Sequence, residues 1–121
     1  MEERMNEEEL KQRTKKFALR VIKLVGSLRR NIEGWAIGKQ LIRSGTSVGA
    51  NYRAACRGRS KAEFVAKLGI VEEEADETAY WLELIIEGGL LELGIVKPLL
   101  QEANELVAIM AASRKSALGR K

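Results

Sequence analysis

The chain has 121 residues, a formal net charge of +4, 45% hydrophobic and 31% charged residues, one cysteine and no histidine. That length suits one small domain. A lone cysteine forbids an intrachain disulfide, and without histidine neither a Cys/His zinc site nor Ser-His-Asp or Cys-His catalysis can be assembled.

A single proline and an abundance of Ala, Leu, Glu, Lys and Arg point to an all-α chain. No apolar run approaches the ~18 residues of a membrane span. The acidic start MEERMNEEEL is unlike a signal peptide. A soluble cytoplasmic protein with no membrane partner is expected.

The first helix is expected over roughly residues 7–30. Asn6 followed by Glu9 fits a capping box. Leu10, Thr14, Phe17, Val21, Leu24 and Leu28 recur at spacings of four and three, which is one helical face. Gly26 falls inside this stretch at a cost of about 1 kcal/mol relative to alanine, which points to close packing or a bend. The second helix is expected over roughly 34–57, with Ile37, Leu41, Val48, Tyr52, Ala55 and Cys56 apolar and Cys56 a small buried residue. Gly45 and Gly49 share one face, and the expected return for two glycines there is the close approach of another backbone. Ser47 and Asn51, four apart, are expected to satisfy buried backbone groups or to join subunits.

Ser60 and Glu63 form a second candidate capping box after Gly58, opening a third helix over roughly 61–87. Phe64, Leu68, Val71, Ala75, Thr78, Leu82 and Ile85 keep the helical rhythm until Gly88 and Gly89. A short apolar loop leads to a fourth helix over roughly 96–116, with Pro98 in its first turn and a basic tail from Ser113 expected to fray. Short connections imply antiparallel neighbours, hence an up-down four-helix bundle in a single domain over residues 1–121. A turn centred near Arg59 sets Gly49 opposite Gly69 and Arg43 near the acids of residues 72–76.

Charge is segregated along the chain. Residues 10–59 carry thirteen Lys/Arg and one acid, Glu33, whereas residues 60–87 carry two lysines and eight acids. Arg20, Lys23, Arg29, Arg30, Lys39, Arg43, Arg53, Arg57 and Arg59 are the candidate contacts to nucleic-acid phosphates. The competing assignment is neutralisation of the acidic helix by its basic neighbours. Among aromatic residues, Tyr52 and the two tryptophans are the candidates for stacking on bases. Adjacent glutamates at 72–74 point in different directions around a helix, and di-iron bundles need Glu-x-x-His pairs. No metal or cofactor is expected, and no constellation suggests an enzyme. Tyr80 and Trp81 point about 100° apart on a helix, so one belongs at the bundle seam and the other at a second, intersubunit interface.

Gln40-Leu41, Arg43-Ser44, Ser47 and Asn51, followed by Phe64, Lys67-Leu68, the acids of 73–77 and Tyr80-Trp81-Leu82, resemble the four-helix-bundle proteins of the 23S rRNA intervening-sequence type. The resemblance runs over roughly residues 17–106. It departs after Asn51, where Tyr52-Arg53-Ala54-Ala55-Cys56-Arg57 stands in place of the family's more common alanine-glutamate-glycine. The resemblance implies an antiparallel bundle assembled as a homopentamer, often encoded within insertions in bacterial ribosomal RNA genes and of poorly defined activity. A more distant similarity is to the accessory protein of diversity-generating retroelements, a pentameric basic barrel that partners a reverse transcriptase and nucleic acid. The match is not close enough to carry that role over.

The expected function is therefore a non-enzymatic, homo-oligomeric protein, pentameric by resemblance, that binds RNA or DNA or serves a ribonucleoprotein. The alternative is a scaffold whose charged faces contact its own subunits or a partner protein. Arg43, Gly45, Ser47, Gly49, Asn51, Gly69, Glu73, Asp76, Tyr80 and Trp81 are the candidates for structural or subunit contacts.

Overall fold

Three short polar side chains start three helices by accepting the orphan amides of a first turn. Asn6 accepts from the Glu9 amide at 2.8 Å while the Glu9 carboxylate accepts from the Asn6 amide at 2.9 Å, the expected reciprocal box. Asn31 accepts from Gly34 at 2.8 Å. Ser60 accepts from Glu63 at 3.1 Å, but the Glu63 side chain reaches the Arg59 amide rather than that of Ser60. The computed structural model describes residues 5–119. Among these the helices are α1 (Glu7–Val25), α2 (Ile32–Cys56), α3 (Lys61–Glu87) and α4 (Leu93–Gly119), with no strands.

The α3 boundaries are as expected, and those of the other three helices are corrected. α1 stops five residues short of residue 30. Gly26 and the following Ser27 are weak helix formers, and the Ser27 and Leu28 amides turn back to the Leu24 and Val25 carbonyls at 2.9 and 3.1 Å. Gly26 thus caps the helix instead of lying within it. α2 starts two residues early because Asn31 caps it. A Cβ on the buried Gly34 would lie 2.1 Å from the Arg29 carbonyl oxygen, so the turn can press onto the helix only at a glycine. α4 starts three residues early, which moves Pro98 into the second turn, where its missing N–H leaves the exposed Gly94 carbonyl without that bond. Nor does the described tail fray: α4 stays helical to Gly119, tied to α3 by Arg114, whose Nε and Nη2 donate to Glu72 at 3.2 and 2.7 Å. Residues 120 and 121 of the expected tail lie outside the described residues.

Between α3 and α4, Gly88 caps the helix and Gly89 takes φ 69°. The Leu90 amide then donates to the Ile85 carbonyl at 2.9 Å, a Schellman-type stop that brings Leu90 against the core.

Phe17, Leu41, Leu68, Leu82, Leu106 and Met110 are fully buried, so every helix contributes to one core. Successive helices pack side by side, and α1 meets α4 far less. The register of α1 on α2 runs in opposite directions: Gly49 faces Thr14, Gly45 faces Val21 and Gly38 faces Val25. The expected Gly49–Gly69 crossing is not made, since a Cβ on Gly69 would meet only the Arg114 side chain, at 3.9 Å. The α2–α3 hairpin register is close to that expected. The glycines, however, occupy the flank of α2 turned to α1, and polar residues occupy the flank turned to α3. Ser44 and Thr78, both fully buried, meet across that second seam with their hydroxyl oxygens 2.9 Å apart. Thr78 Oγ1 is also 2.8 Å from the Glu74 carbonyl oxygen, so neither hydroxyl is left unpartnered.

Candidate functional site

Arg43, a candidate phosphate contact, is held by carboxylates of its own chain, although its side chain stays half exposed. Arg43 donates from Nη1 to Glu74 at 3.2 Å and from Nη2 to Glu77. The Ser47 hydroxyl donates to the Arg43 carbonyl oxygen at 2.8 Å and approaches Glu74 at 3.3 Å, while Asn51 Nδ2 donates to the Ser47 carbonyl at 2.9 Å. Trp81, half-buried at the same seam, donates from Nε1 to Glu77 at 3.0 Å and meets Tyr80 edge to face at 5.2 Å. The acids at 72–74 diverge as their adjacency requires: Glu72 turns to Arg114 on α4, Glu74 to Arg43 on α2, and Glu73 to solvent.

The hydrogen bond from Arg43, with that from Trp81, holds the Glu77 carboxyl below its ordinary value. Stability drawn from a lowered carboxylate is whole above the unfolded value near 4.5 and is lost as pH falls through the lowered folded value. Glu77→Gln is therefore expected to be less stable than the native chain at neutral pH and to converge with it at strongly acidic pH. Urea unfolding across a pH series reads this directly, and a gap independent of pH would refute it.

Other candidates from the structural set separate by burial. Gly45 and Gly49 are enclosed at the α1–α2 seam. Glu73, Asp76 and Tyr80 lie exposed on the outer face of α3 near the exposed Ile70, with Tyr80 52% accessible.

Five of the remaining candidate cations fall into two groups on the α1–α2 side. Near the start of α1, Arg53 and Arg57 share a groove of about 200 Å³ with Lys11, Lys15, Glu8 and Gln12. Arg53 and Arg57 make no ion pair among the described residues, and Lys11 makes only an exposed contact to Glu7 at 3.6 Å. Lys11 and Lys15 were not among the sequence candidates. Their signal was present as two cations four apart on α1, matching Arg53 and Arg57 four apart on an antiparallel neighbour.

At the opposite end, Arg29, Arg30 and Lys39 surround Trp35 in a second groove of about 250 Å³, floored by Val25 and Leu28. Trp35 is 68% exposed, and Lys39 Nζ sits 4.5 Å from its ring centroid. At an exposed site this cation–π contact is worth about 0.5–1 kcal/mol. Lys39 and Arg53 are separated along α2 by about 21 Å at the usual helical rise. Arg20 and Lys23 on α1, and Arg59 in the α2–α3 turn, line neither groove. The nine candidate cations are thus not one continuous stripe. A helix places residues around its whole circumference, and Arg43 is drawn to α3.

A cavity of about 570 Å³ opens beside the start of α1, lined by Leu10, Tyr52, Phe64 and Ser113 among others. Burial pushes the Tyr52 phenol and the neighbouring Cys56 thiol upward, so both stay protonated at neutral pH. Cys56 is half-buried rather than enclosed. Among the described residues, no helix is long and apolar enough to cross a membrane.

The family described as 23S rRNA-intervening sequence protein matches residues 6–112, from the α1 cap to the last third of α4. A solved structure from Bacteroides thetaiotaomicron, described as a protein with unknown function from the S23 ribosomal protein family, shares 33% identity with a TM-score of 0.84. That similarity covers 92% of this chain and 99% of the other. Among curated proteins, none matches.

Proposed function

The chain belongs to the 23S rRNA-intervening sequence protein family, and on that premise we propose that it is a non-enzymatic, homo-oligomeric, cytoplasmic protein that binds nucleic acid or serves a ribonucleoprotein. One observation carries the reading: Lys11, Lys15, Arg53 and Arg57 converge on a single groove, and its two arginines have no ion-pair partner among the described residues. Such a cluster releases counterions when it meets phosphates, so its affinity depends on salt and little on sequence. Assembly, with five copies the expected number, repeats the groove and adds avidity. The outer face of α3, with Glu73, Asp76 and Tyr80, supplies the subunit contacts in this reading.

A second reading rests on the acidity of that same face, which complements the basic α1–α2 side. Copies or a partner protein meeting there would make the chain a scaffold.

Titration of fluorescent RNA and DNA against salt separates the two. Nucleic-acid binding is expected at low salt with a steep inverse dependence on salt. Arg53→Ala/Arg57→Ala is expected to reduce the log–log slope by about 2, one per lost phosphate contact. No binding at low salt, or an unchanged slope, rejects the nucleic-acid reading. Dispersal of the oligomer by the same double substitution, seen by sedimentation, favours the scaffold.

A further inference from the structure

We propose that the groove around Trp35 is a stacking site for an unpaired base of single-stranded RNA or DNA, with Arg29, Arg30 and Lys39 holding the adjoining phosphates. The proposal rests on the nucleic-acid function above and adds which form of nucleic acid is preferred.

Trp35 lies one helical turn from Gly38 and two from Ile42, on the flank of α2 that borders α1, yet its indole is 68% exposed. Packing does not require it there, because Leu41 and Val48 already fill the core slots of α2. Three cations line the groove with the ring, and none of them makes an ion pair among the described residues. The nearest acid in sequence, Glu33, lines a neighbouring cleft that Arg29 also borders, yet the two make no ion pair among the described residues. Lys39 already rests on the indole. A ring face that accepts an ammonium from solvent also accepts a flat base, and the freed ammonium can then follow the phosphate.

Unpaired nucleotides are the class this geometry selects. Within a duplex the base faces stack on one another, and an exposed indole finds only backbone. In a single strand, a loop or a frayed end, a base can be splayed onto the ring. The groove of Lys11, Lys15, Arg53 and Arg57 has no aromatic lining, so it offers phosphates a charge without that discrimination. The two grooves are thus separate phosphate contacts about 21 Å apart along α2, one with a stacking platform and one without. An acidic peptide would satisfy the cations but has no need of the exposed indole.

The test uses the full chain. In a Trp81→Phe background Trp35 is the sole tryptophan, so its emission reports on this groove alone. Short oligo(U) and oligo(dT) are expected to quench it, and a relaxed, covalently closed circular duplex, which has neither loop nor end, to leave it unchanged. In the native background Trp35→Ala is expected to weaken single-strand binding about tenfold. Duplex affinity should stay within about twofold and the salt slope should not move, because the indole carries no charge. Trp35→Phe should recover part of the loss, which separates stacking from misfolding.

Equal effects of Trp35→Ala on both probes, or no effect on the single strands, overturn the stacking site while leaving the nucleic-acid function standing. Quenching by a poly-glutamate peptide and not by the oligonucleotides assigns the groove to an acidic protein partner and also overturns it. Absence of binding to any nucleic acid at low salt removes both proposals.

Discussion

Gly45→Val is expected to destabilise the fold by about 3 kcal/mol, the upper end of overpacking costs. A Cβ at this position would lie 2.8 Å from both γ carbons of Val21, whose side chain is fully buried. Val21 is β-branched, with little freedom to rotate away. α1 cannot simply retreat either, because Thr14 against Gly49 and Val25 against Gly38 hold it at the same separation on both sides.

Gly45→Ala tests the balance more finely. Alanine contributes about 1 kcal/mol of helix propensity, which offsets part of an overpacking cost of about 1–3 kcal/mol. Combining it with Val21→Ala should open the space it needs, so the double variant should be more stable than the sum of the single changes. Gly69→Ala is the control. It meets nothing closer than 3.9 Å and should stabilise α3 by about 0.5–1 kcal/mol. Denaturant unfolding of these variants, with Val21→Ala alone to complete the cycle, decides the matter. A Gly45→Val protein as stable as the native one would falsify the packing of α1 on α2.

Arg13→Gln is expected to cost about 2 kcal/mol through a charged fork lost between α1 and α4. Arg13 donates from Nε and Nη2 to the two carboxylate oxygens of Glu102, both at 2.7 Å, and from Nη2 to Glu105, also at 2.7 Å. These bonds, that to Glu102 foremost, raise the Arg13 guanidinium well above its ordinary value. The two carboxylates differ in what their loss should do. Glu102 is 16% exposed, so removing Arg13 strands a partly buried charge, whereas Glu105 is 64% exposed and mostly solvated. Glu105→Gln should therefore cost under about 0.5 kcal/mol. Adding Glu102→Gln to Arg13→Gln should recover part of the loss, since the stranded charge is then gone. If Glu105→Gln proves as costly as Arg13→Gln, the bidentate account is wrong. The effect should be felt broadly because α1 and α4 touch over so little surface.

How legible the chain was depends on which signals act locally. Ser60 and Gly88 bracket α3 with unambiguous start and stop chemistry, and its limits could be read directly. At Asn31 the third helical residue is Gly34 instead of an acid, so no capping box announced α2. Pro98 favours a first turn, yet the exposed Gly94 carbonyl tolerates it in the second. Arg53 and Arg57 could be named from their spacing. Lys11 and Lys15 could not, because their relevance depends on the register between α1 and α2. Arg13, Glu102 and Glu105 carry no local signal, because they lie on the first and last helices, far apart in the chain.

Periodicity, caps and the division of charge specify four helices, their order and the residues that share each face, since those properties arise within a few residues of one another. The azimuth at which each neighbour docks does not arise locally. It follows from packing all four apolar faces into one core without voids or clashes. That packing turned the glycine flank of α2 to α1 instead of α3, drew Arg43 into Glu74 and Glu77, and left Arg53, Arg57 and Trp35 facing outward.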